Sequence, residues 1–338
     1  MPVMRIDAAA PQALAAYLRA RGWLAADDAI VSVGPAGDGN MNCTLRVATT
    51  RGSSIVKQGR PWVEKYPSIP APPDRTLVEA AFYETATSDS AVAGRMPATR
   101  GLDPESCVLV LEDCAGFVDA SSVYEGHPLA EAVVEELLDY LRALHALPVG
   151  DPARAPWANH AMQALNHEYI YRLPLAGDAG LHERLDGITP GLSRLAREYS
   201  ADADCVARVA SLGERYLQGP PRALVHGDFF PGSWLTSGAR VRVIDPEFCH
   251  AGAPEFDYGV MAGHLLLAGQ EAAAARTAAA AVGHGCDGAL VAASAGVEIM
   301  RRLVGVAQLP RLHRTLAEKA ALLETSRRLV TGALRLDT

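Results

Sequence analysis

Two acidic motifs in the second half of the chain constrain it more than any other feature. Each follows a short apolar run that predicts a buried strand: residues 223–225 lead into His-Gly-Asp, ending at Asp228, and residues 241–244 lead into Asp-Pro-Glu. An aspartate on a rigid turn after a strand can orient or deprotonate a hydroxyl group. Two carboxylates one residue apart, here Asp245 and Glu247, suit Mg²⁺. A lone aspartate is more often a turn or helix cap, but two such motifs seventeen residues apart favour one shared reactive site.

A glycine-rich turn lies upstream of these motifs, between two predicted strands. It contains Gly37, Asp38, Gly39, Asn40 and Asn42. Glycines in such a turn let backbone N–H groups approach anionic oxygens closely, although an ordinary hairpin turn uses the same residues. The sequence therefore leaves open whether this turn binds phosphate, which is the functional interpretation, or is an ordinary hairpin turn.

A lysine follows this turn on the second of the two strands. The chain has 31 basic residues, and only Lys57, Lys65 and Lys319 among them are lysines. Against that preference for arginine, Lys57 at the end of an apolar strand is a candidate to hold phosphate groups as a point charge. An acidic side chain on the following helix would orient it, and Glu79 and Glu84 are both candidates.

The bulk composition narrows the class of protein. The 338 residues, 49% hydrophobic and 21% charged, suffice for two lobes with their own cores. A formal net charge of −8 argues against nucleic acids or anionic membranes as general partners. Six cysteines without a C-x-x-C pattern favour reduced thiols. We expect a cytoplasmic protein, because the sequence shows neither a signal-peptide core nor an apolar run of about 18 residues.

The order of predicted elements indicates an α+β chain. The predicted strands lie at 30–33, 44–47, 54–58 and 107–112, and the predicted helices at 11–22, 75–87 and 128–147. The second and third strands pair across Arg51-Gly52, and a proline-rich loop at 66–74 follows them. We predict a small strand-rich lobe at 1–113 and a larger, mainly helical lobe at 114–338.

Together the motifs resemble the catalytic signature of the aminoglycoside-phosphotransferase and choline-kinase superfamily. Several details resemble the methylthioribose kinase family in particular. These are Asp-Gly-Asn-Met-Asn at 38–42, Val-Lys-Gln at 56–58 with Pro61, Asp-Pro-Glu-Phe at 245–248, and Glu-x-x-Arg-Arg at 298–302. The matching motifs run from residue 37 to residue 305, which is most of the chain.

That resemblance implies a bilobal protein-kinase-like fold with ATP and Mg²⁺ in the cleft, a small N-terminal antiparallel β lobe and a larger helical lobe. Asp228 would orient or deprotonate the acceptor hydroxyl, and Lys57 with the 37–42 turn would hold the nucleotide phosphates. Glu112 and Asp113 correspond to the hinge, whose backbone groups would bind adenine. The remaining implied roles are metal binding by Asp245, Glu247 and Ser233, and acceptor binding by Arg301 and Arg302.

The sequence departs from the family where the acceptor is expected to bind. In the family's S-W-P-x-T-x-x-R loop, here residues 68–75, Ile69 and Pro72 replace the tryptophan and the threonine, and Phe230 replaces a histidine of the catalytic loop. Phe230 beside Asp228 favours a larger or more apolar acceptor, since its ring can stack on a flat base. We expect a small-molecule hydroxyl acceptor, either a ribose-type sugar or a nucleoside-like compound such as a nucleoside antibiotic in self-resistance.

Several alternatives stay open. Methylthioribose itself is one acceptor, as in methionine salvage, and a kinase fold that only binds nucleotides is a rival of a different class. Retention of the lysine and the three carboxylates together argues against that rival. The sequence leaves open GTP as donor and a homodimer as the assembly. We expect His145 to be structural, and Asp257 to cap a helix rather than to support the metal site.

Overall fold

The computed structural model describes residues 4–37, 39, 41–151 and 155–336, so Asp38 and Asn40 of the glycine-rich turn lie outside the described residues. The N-terminal strands are β1 (Ile30–Pro35), β2 (Cys43–Thr49), β3 (Gly52–Gln58), β4 (Trp62–Val63), β5 (Tyr66–Pro70), β6 (Thr99–Asp103) and β7 (Val108–Glu112). The N-terminal helices are α1 (Pro11–Ala20), α2 (Arg75–Ala86) and α3 (Ser90–Ala93). One antiparallel sheet has the order β1-β2-β3-β7-β6, and β4 pairs with β5 in a separate ribbon.

The two faces of the five-stranded sheet meet different surroundings, because successive side chains of a strand point to opposite sides. On β3, Val56 is fully buried and packs with Leu14 and Leu18 of α1 in a small hydrophobic cluster. The next residue, Lys57, points to the opposite face, where Glu79 of α2 contacts it. The alternation of the strand therefore turns the lysine away from the α1 side and toward α2.

The C-terminal part is mainly helical, with short strands that carry functionally interesting turns. Its strands are β8 (Val118–Asp119), β9 (Ala223–Val225), β10 (Trp234–Ser237), β11 (Arg240–Val243) and β12 (His250–Gly252). Its α-helices are α4 (Glu131–His145), α5 (His160–His167), α6 (Ala179–Ile188), α7 (Leu192–Ser200), α8 (Ala203–Gln218), α9 (Glu255–Leu267), α10 (Glu271–Gly283), α11 (Gly288–Val304) and α12 (Leu316–Thr331). The strands pair antiparallel in the orders β11-β10-β8 and β12-β9.

Helices α9 and α11 form the centre of the C-terminal part. Every residue of α9 is buried, and a Cβ added at Gly263 would lie 2.9 Å from the carbonyl oxygen of Ala295 and 3.0 Å from the Cβ of Glu298. Glycine at this position therefore permits the close approach of the two helices.

No helix in the described ranges has both the length and the apolar character needed to cross a membrane.

The observed elements confirm the predicted α+β class and the order of a small antiparallel β lobe before a larger helical one. The predicted hairpin of β2 and β3 also forms, with Thr49 paired to Gly52. The prediction of a loop at 66–74 is wrong in part, because Tyr66–Pro70 forms β5. A two-stranded ribbon tolerates these prolines, since its outer edges need no N–H donor. The division into 1–113 and 114–338 stays a prediction; it falls between β7 and β8.

The turn that follows β9 depends on Gly227. Its φ is +86°, a left-handed conformation that favours glycine, and a Cβ there would lie 2.1 Å from the carbonyl oxygen of Phe248. Gly227 thus lets the segment that carries Asp228 pass in contact with the backbone at residue 248. Gly238 offers a comparison: its φ is +62°, but no atom lies within 4 Å of an added Cβ.

We expect Gly227→Ala to lower the free energy of unfolding by more than Gly238→Ala does. Both substitutions place alanine in the left-handed region, which costs about 1–2 kcal/mol. Only Gly227→Ala also forces the Phe248 backbone to move, which adds about 1–3 kcal/mol. Urea denaturation of the two variants measures the difference, and equal losses would show that the close approach imposes no constraint.

Candidate active site

Lys57 lies among acidic side chains that come from both parts of the molecule. Its Nζ donates to Glu79 Oε2 of α2 at 2.6 Å and forms an ion pair with Asp245, which follows β11. Glu79 is therefore the acidic partner on α2, whereas Glu84 of the same helix is exposed. Burial alone would lower the pKa of Lys57, but the carboxylates of Asp245, Glu79 and Glu247 outweigh it and raise the pKa. The amine is thus firmly protonated.

Asp245 and Glu247 enter this cluster from one turn. Asp245 has a left-handed φ of +70°, and its backbone N–H donates to the Tyr83 hydroxyl oxygen at 3.2 Å, which anchors the turn to α2. The Asp245 side chain is 35% exposed, while Glu247 is buried. Burial, and after it the charge of Asp245, raises the pKa of Glu247 well above its usual range. Without a cation nearby, the Glu247 carboxyl group therefore favours its neutral form.

Two residues of the N-terminal part contact the Glu247 carboxylate. Asn42 Nδ2 donates to Glu247 Oε2 at 2.8 Å, and Arg75 Nε lies 3.6 Å from the same oxygen. Arg75 is fully buried, and its terminal nitrogens donate to the carbonyl oxygens of four residues, Met41, Arg60, Trp62 and Pro72. The contact of Asn42 is thus with an acidic side chain, and its role in nucleotide binding stays a prediction.

Asp228 is held by the predicted arginine pair. Its Oδ1 accepts from Arg301 Nη2 at 2.7 Å and from Arg302 Nη2 at 3.1 Å. Both arginines also donate through Nε to the buried Glu298, at 2.5 and 2.8 Å. Burial would raise the pKa of Glu298, but the two guanidiniums hold it well below its usual range. Two cations and two anions therefore balance one another here.

Phe230 and His264 complete this second cluster. The Phe230 ring centroid lies 4.9 Å from the Arg302 guanidinium and 5.5 Å from the His264 ring. His264 Nδ1 lies 2.6 Å from the Tyr124 hydroxyl oxygen, and its Nε2 lies 2.8 Å from Glu298 Oε1. Burial lowers the pKa of His264 to about 4, so the ring is neutral at pH 7. Part of Phe230 is engaged within the protein, and its stacking on an acceptor stays a prediction.

Asp257 holds the backbone of the His-Gly-Asp turn. Its two carboxylate oxygens accept from the N–H groups of His226 at 2.7 Å and Gly227 at 3.0 Å, and His145 Nε2 lies 2.9 Å from Oδ2. Burial would raise the pKa of Asp257, but these donors, His145 first, keep it below its usual range. The prediction that Asp257 caps a helix is wrong, because α9 begins after Pro254 without a side-chain cap.

His226 connects the two acidic motifs to each other. Its ring is fully buried, and Nε2 donates to the carbonyl oxygen of Ile244 at 3.0 Å, one residue before Asp245. Burial lowers the pKa of His226, which favours the neutral ring, and its Nδ1 accepts from the Asp228 backbone N–H at 3.4 Å. The turn that carries Asp228 and the turn that carries Asp245 are therefore fixed relative to each other.

The predicted hinge residues have their side chains engaged elsewhere. Glu112 Oε2 accepts from the Ala98 backbone N–H at 3.0 Å. Asp113 accepts from Arg46 Nε at 2.9 Å and from the Ser53 hydroxyl at 2.7 Å. The Glu112 backbone N–H donates to the Ala98 carbonyl oxygen at 2.8 Å, and the Asp113 carbonyl oxygen accepts from the Ala115 N–H at 2.7 Å. Adenine binding by the hinge backbone stays a prediction. Apart from its chain neighbours, no described residue has an atom within 4 Å of a Cβ added at Gly37 or Gly39 of the glycine-rich turn.

The residues present fit a Mg²⁺ ion. Magnesium in phosphate-binding sites takes one or two carboxylates and completes its shell with phosphate oxygens and water. Asp245 and Glu247 supply two carboxylates, and a bound cation would offset the burial and the charge of Asp245 that together raise the pKa of Glu247. Ser233 Oγ donates to the Asp228 carbonyl oxygen at 3.3 Å, and its role as a metal ligand stays a prediction. In the described ranges no three His, Cys, Asp or Glu side chains gather as a metal site, so the fit rests on these two.

Comparisons with known proteins identify the family of this chain. A sequence profile of the phosphotransferase enzyme family (APH) matches residues 32–290. The chain belongs to the phosphotransferase enzyme family, which confirms the resemblance that the motifs carry.

Methylthioribose kinases are among its relatives. The chain is 30% identical to methylthioribose kinase of Yersinia pseudotuberculosis over 264 residues, which cover 74% of this chain and 62% of that protein. It is 28% identical to the Escherichia coli enzyme over 252 residues, which cover 70% of this chain and 57% of that protein. The chain thus matches about three fifths of the length of these relatives.

Two solved structures show the fold. Spectinomycin phosphotransferase APH(9)-Ia, in complex with ADP and spectinomycin, superposes with a TM-score of 0.57 at 12% identity over 98% of this chain and 100% of that one. LicA in complex with AMP gives a TM-score of 0.53 at 13% identity over 95% and 98%. The fold is the predicted bilobal, protein-kinase-like one.

Arg75 and Glu298 were missed as functional residues, although the sequence carries a signal for each. An arginine as the first residue of α2 opposes the helix dipole, which indicates a partner elsewhere. Glu298 precedes Arg301 and Arg302 by three and four residues, the spacing that brings side chains together on one helix face. His264 gives no such signal, because only the packing of α9 on α11 brings it to Glu298.

Because His264 is buried and neutral, we expect stability to fall in mild acid. Its pKa is about 4 in the folded protein against 6.5 when free, so between these values the unfolded chain binds the proton. The stabilisation is complete above pH 6.5 and is lost as the pH falls toward 4, by about 3 kcal/mol. His264→Gln cannot titrate and should remove this part of the slope. Urea unfolding from pH 7 to pH 4 checks it, and identical pH dependence in both proteins would contradict a neutral buried imidazole.

Proposed function

We propose that this protein transfers the γ-phosphoryl group of ATP, with Mg²⁺, to a hydroxyl group of a small ribose-type sugar or nucleoside-like compound. One observation carries the proposal: Lys57 of the N-terminal part meets Asp245 and Glu247 of the C-terminal part in a single cluster. Phosphoryl transfer needs a held triphosphate, placed cations and an aligned acceptor, rather than covalent help from the protein. Membership in the phosphotransferase enzyme family supports the same reaction class.

The donor nucleotide would lie between the glycine-rich turn and this cluster. Lys57 is oriented by Glu79 and presents a buried positive charge, and no described residue other than its chain neighbours would contact a Cβ added at Gly37 of the turn. An ammonium and nearby backbone N–H groups together suit the oxygens of a triphosphate. Asp245 and Glu247 would hold Mg²⁺, which supplies positive charge next to the transferred group.

Asp228 would align the acceptor hydroxyl with the γ-phosphate. Its Oδ1 is occupied by Arg301 and Arg302, while no described residue donates to Oδ2, and the side chain keeps 19% exposure. Oδ2 is therefore the oxygen that can accept the acceptor's O–H. The acceptor oxygen bonds to the γ-phosphorus, the bond from that phosphorus to the bridging oxygen of ADP breaks, and the hydroxyl proton passes to Asp228.

The charge balance of the Asp228 cluster favours an uncharged acceptor. The two arginines are matched by Asp228 and Glu298, so the cluster offers no surplus positive charge for an anionic compound. A ribose-type sugar or a nucleoside fits that condition. Phe230 beside Asp228 favours a nucleoside-like compound such as a nucleoside antibiotic, because the residue is only partly buried and an aromatic ring can stack on a flat base.

Methylthioribose is the second candidate acceptor. The 30% identity to a methylthioribose kinase over 264 residues favours it. Against it stand Ile69 and Pro72, which replace the tryptophan and threonine expected in the family's loop. The fixed position of Asp228 argues against a protein that only binds nucleotides, since nucleotide binding alone does not require an aligned carboxylate.

An ADP-release assay with a panel of acceptors tests the proposal. The panel contains methylthioribose, unmodified nucleosides and nucleoside antibiotics, each with ATP, which releases ADP, or GTP, which releases GDP, and with or without Mg²⁺. We expect Mg²⁺-dependent release of ADP with at least one riboside, confirmed by mass spectrometry of the phosphorylated product. Nucleotide binding without release of ADP for any acceptor would instead support the binding module.

With the acceptor that reacts, we expect Asp228→Asn to lower kcat by about 10²–10⁴-fold. The amide cannot take the hydroxyl proton, but it leaves the phosphate-binding cluster untouched, so the Kd for ATP should change little. Asp139→Asn, an exposed substitution on α4, is the matched control and should keep full activity. Normal turnover by Asp228→Asn would refute the role assigned to this residue.

A further inference from the structure

Glu247 belongs to the C-terminal part, but its carboxylate is bound by the N-terminal part. Asn42, directly before β2, donates to Oε2 at 2.8 Å, and the Arg75 guanidinium lies 3.6 Å from the same oxygen. Asn42 is 5% exposed and Glu247 is 4% exposed. Among the described residues none donates to Oε1. One carboxylate oxygen is thus fixed by two buried side chains, and the other is left for a ligand.

Arg75 fixes Asn42 as well as Glu247. Its Nη2 donates to the carbonyl oxygen of Met41 at 2.6 Å, and Met41 directly precedes Asn42. Its Nη1 donates to the carbonyl oxygens of Arg60 at 2.7 Å and Pro72 at 2.6 Å. One buried guanidinium therefore ties the end of the glycine-rich turn to the loop before α2 and faces the carboxylate that the turn's asparagine contacts.

A buried amide committed to a carboxylate is poorly placed to bind phosphate. The Nδ2 group of Asn42 points to a carboxylate, and phosphate oxygens brought to the same place would repel that carboxylate. By contrast, second-sphere donors of this kind commonly orient metal-binding carboxylates and tune metal affinity. The geometry of Asn42 is that of such a donor.

We infer that Asn42 and Arg75 are positioning residues for Glu247: they hold Oε2 so that Oε1 faces the metal ion, and the N-terminal lobe thereby sets metal affinity. The inference rests on the proposed function, because it takes Glu247 as a metal ligand. It assigns Asn42 to the metal site rather than to direct contact with the nucleotide.

The test measures metal binding directly, with Mn²⁺ as the probe. Free Mn²⁺ is followed by electron paramagnetic resonance in the whole 338-residue chain with a non-hydrolysable ATP analogue. Binding of the analogue alone, in EDTA, is followed by calorimetry. We expect Asn42→Leu to weaken Mn²⁺ binding by about 10–100-fold, with the metal-free affinity for the analogue unchanged within twofold.

Asn159 provides the matched control, because it is also buried and also donates to Glu247, but to the backbone carbonyl oxygen at 2.8 Å. Asn159→Leu should keep Mn²⁺ binding within threefold. In a Glu247→Gln background, Asn42→Leu should cause no further loss, since the carboxylate that it positions is gone. Arg75 also supports several loops, so the test uses Asn42.

Three results would overturn the inference. They are unchanged Mn²⁺ binding in Asn42→Leu, an equal loss in Asn159→Leu, and an equal loss of analogue binding in EDTA, which would assign Asn42 to the nucleotide. A wild-type protein that binds no Mn²⁺ with the analogue would instead overturn the proposed function. Failure of the inference and failure of the proposed function therefore give different experimental results.

Discussion

The buried ammonium of Lys57 joins three distant segments of the chain: β3, α2 and the turn after β11. Its partners Glu79 and Asp245 come from the two different lobes, and Glu247 lies close enough to add to the raised pKa of the lysine. Removing one partner from a buried ion pair commonly costs about 3–5 kcal/mol, because the other charge is left uncompensated. The ion pairs of Lys57 that arrange the candidate site therefore also contribute to the stability of the structure.

The two charge clusters of the site differ in their balance. Around Lys57 and Arg75 there are three carboxylates for two cations, and burial together with this crowding raises the pKa of Glu79 to about 7 and that of Glu247 well above its usual range. A divalent cation at this cluster would favour the ionised form of both carboxyl groups. Around Asp228 the two arginines and two carboxylates are matched, so that side of the site gains nothing from an additional ion.

The features that could be predicted from the sequence are those that the local pattern of apolar and polar residues determines. The hairpin of β2 and β3 follows from alternation around a turn, and the two acidic motifs follow from short apolar runs that end in fixed spacings. The strands β6, β8, β10 and β12 were not predicted, because each is short and depends on a partner strand distant in sequence or on a neighbouring turn.

The contacts that the sequence left open depend on which elements of the fold pack against one another. Glu79 and Glu84 lie on the same helix, and only the packing of α2 against the sheet distinguishes the buried one from the exposed one. Aspartate is a common helix-capping residue, but α9 lies close to the turn after β9. The Asp257 carboxylate therefore accepts from backbone N–H groups about thirty residues earlier in the chain. Asn42 likewise contacts a residue 205 positions along the chain. These are tertiary contacts, and local secondary-structure propensity does not predict them.

The two halves of the site are built from different parts of the molecule, and this difference bears on how specificity can change. The donor side needs both lobes, since Lys57 and Asn42 each contact a carboxylate of the other lobe. The Asp228 cluster is built within the C-terminal lobe, from the turn after β9 and from α9 and α11. Under the proposed function, a substitution at Phe230 would alter the surroundings of the acceptor without touching the contacts between the lobes. The proposed donor side can therefore stay constant while the proposed acceptor side varies.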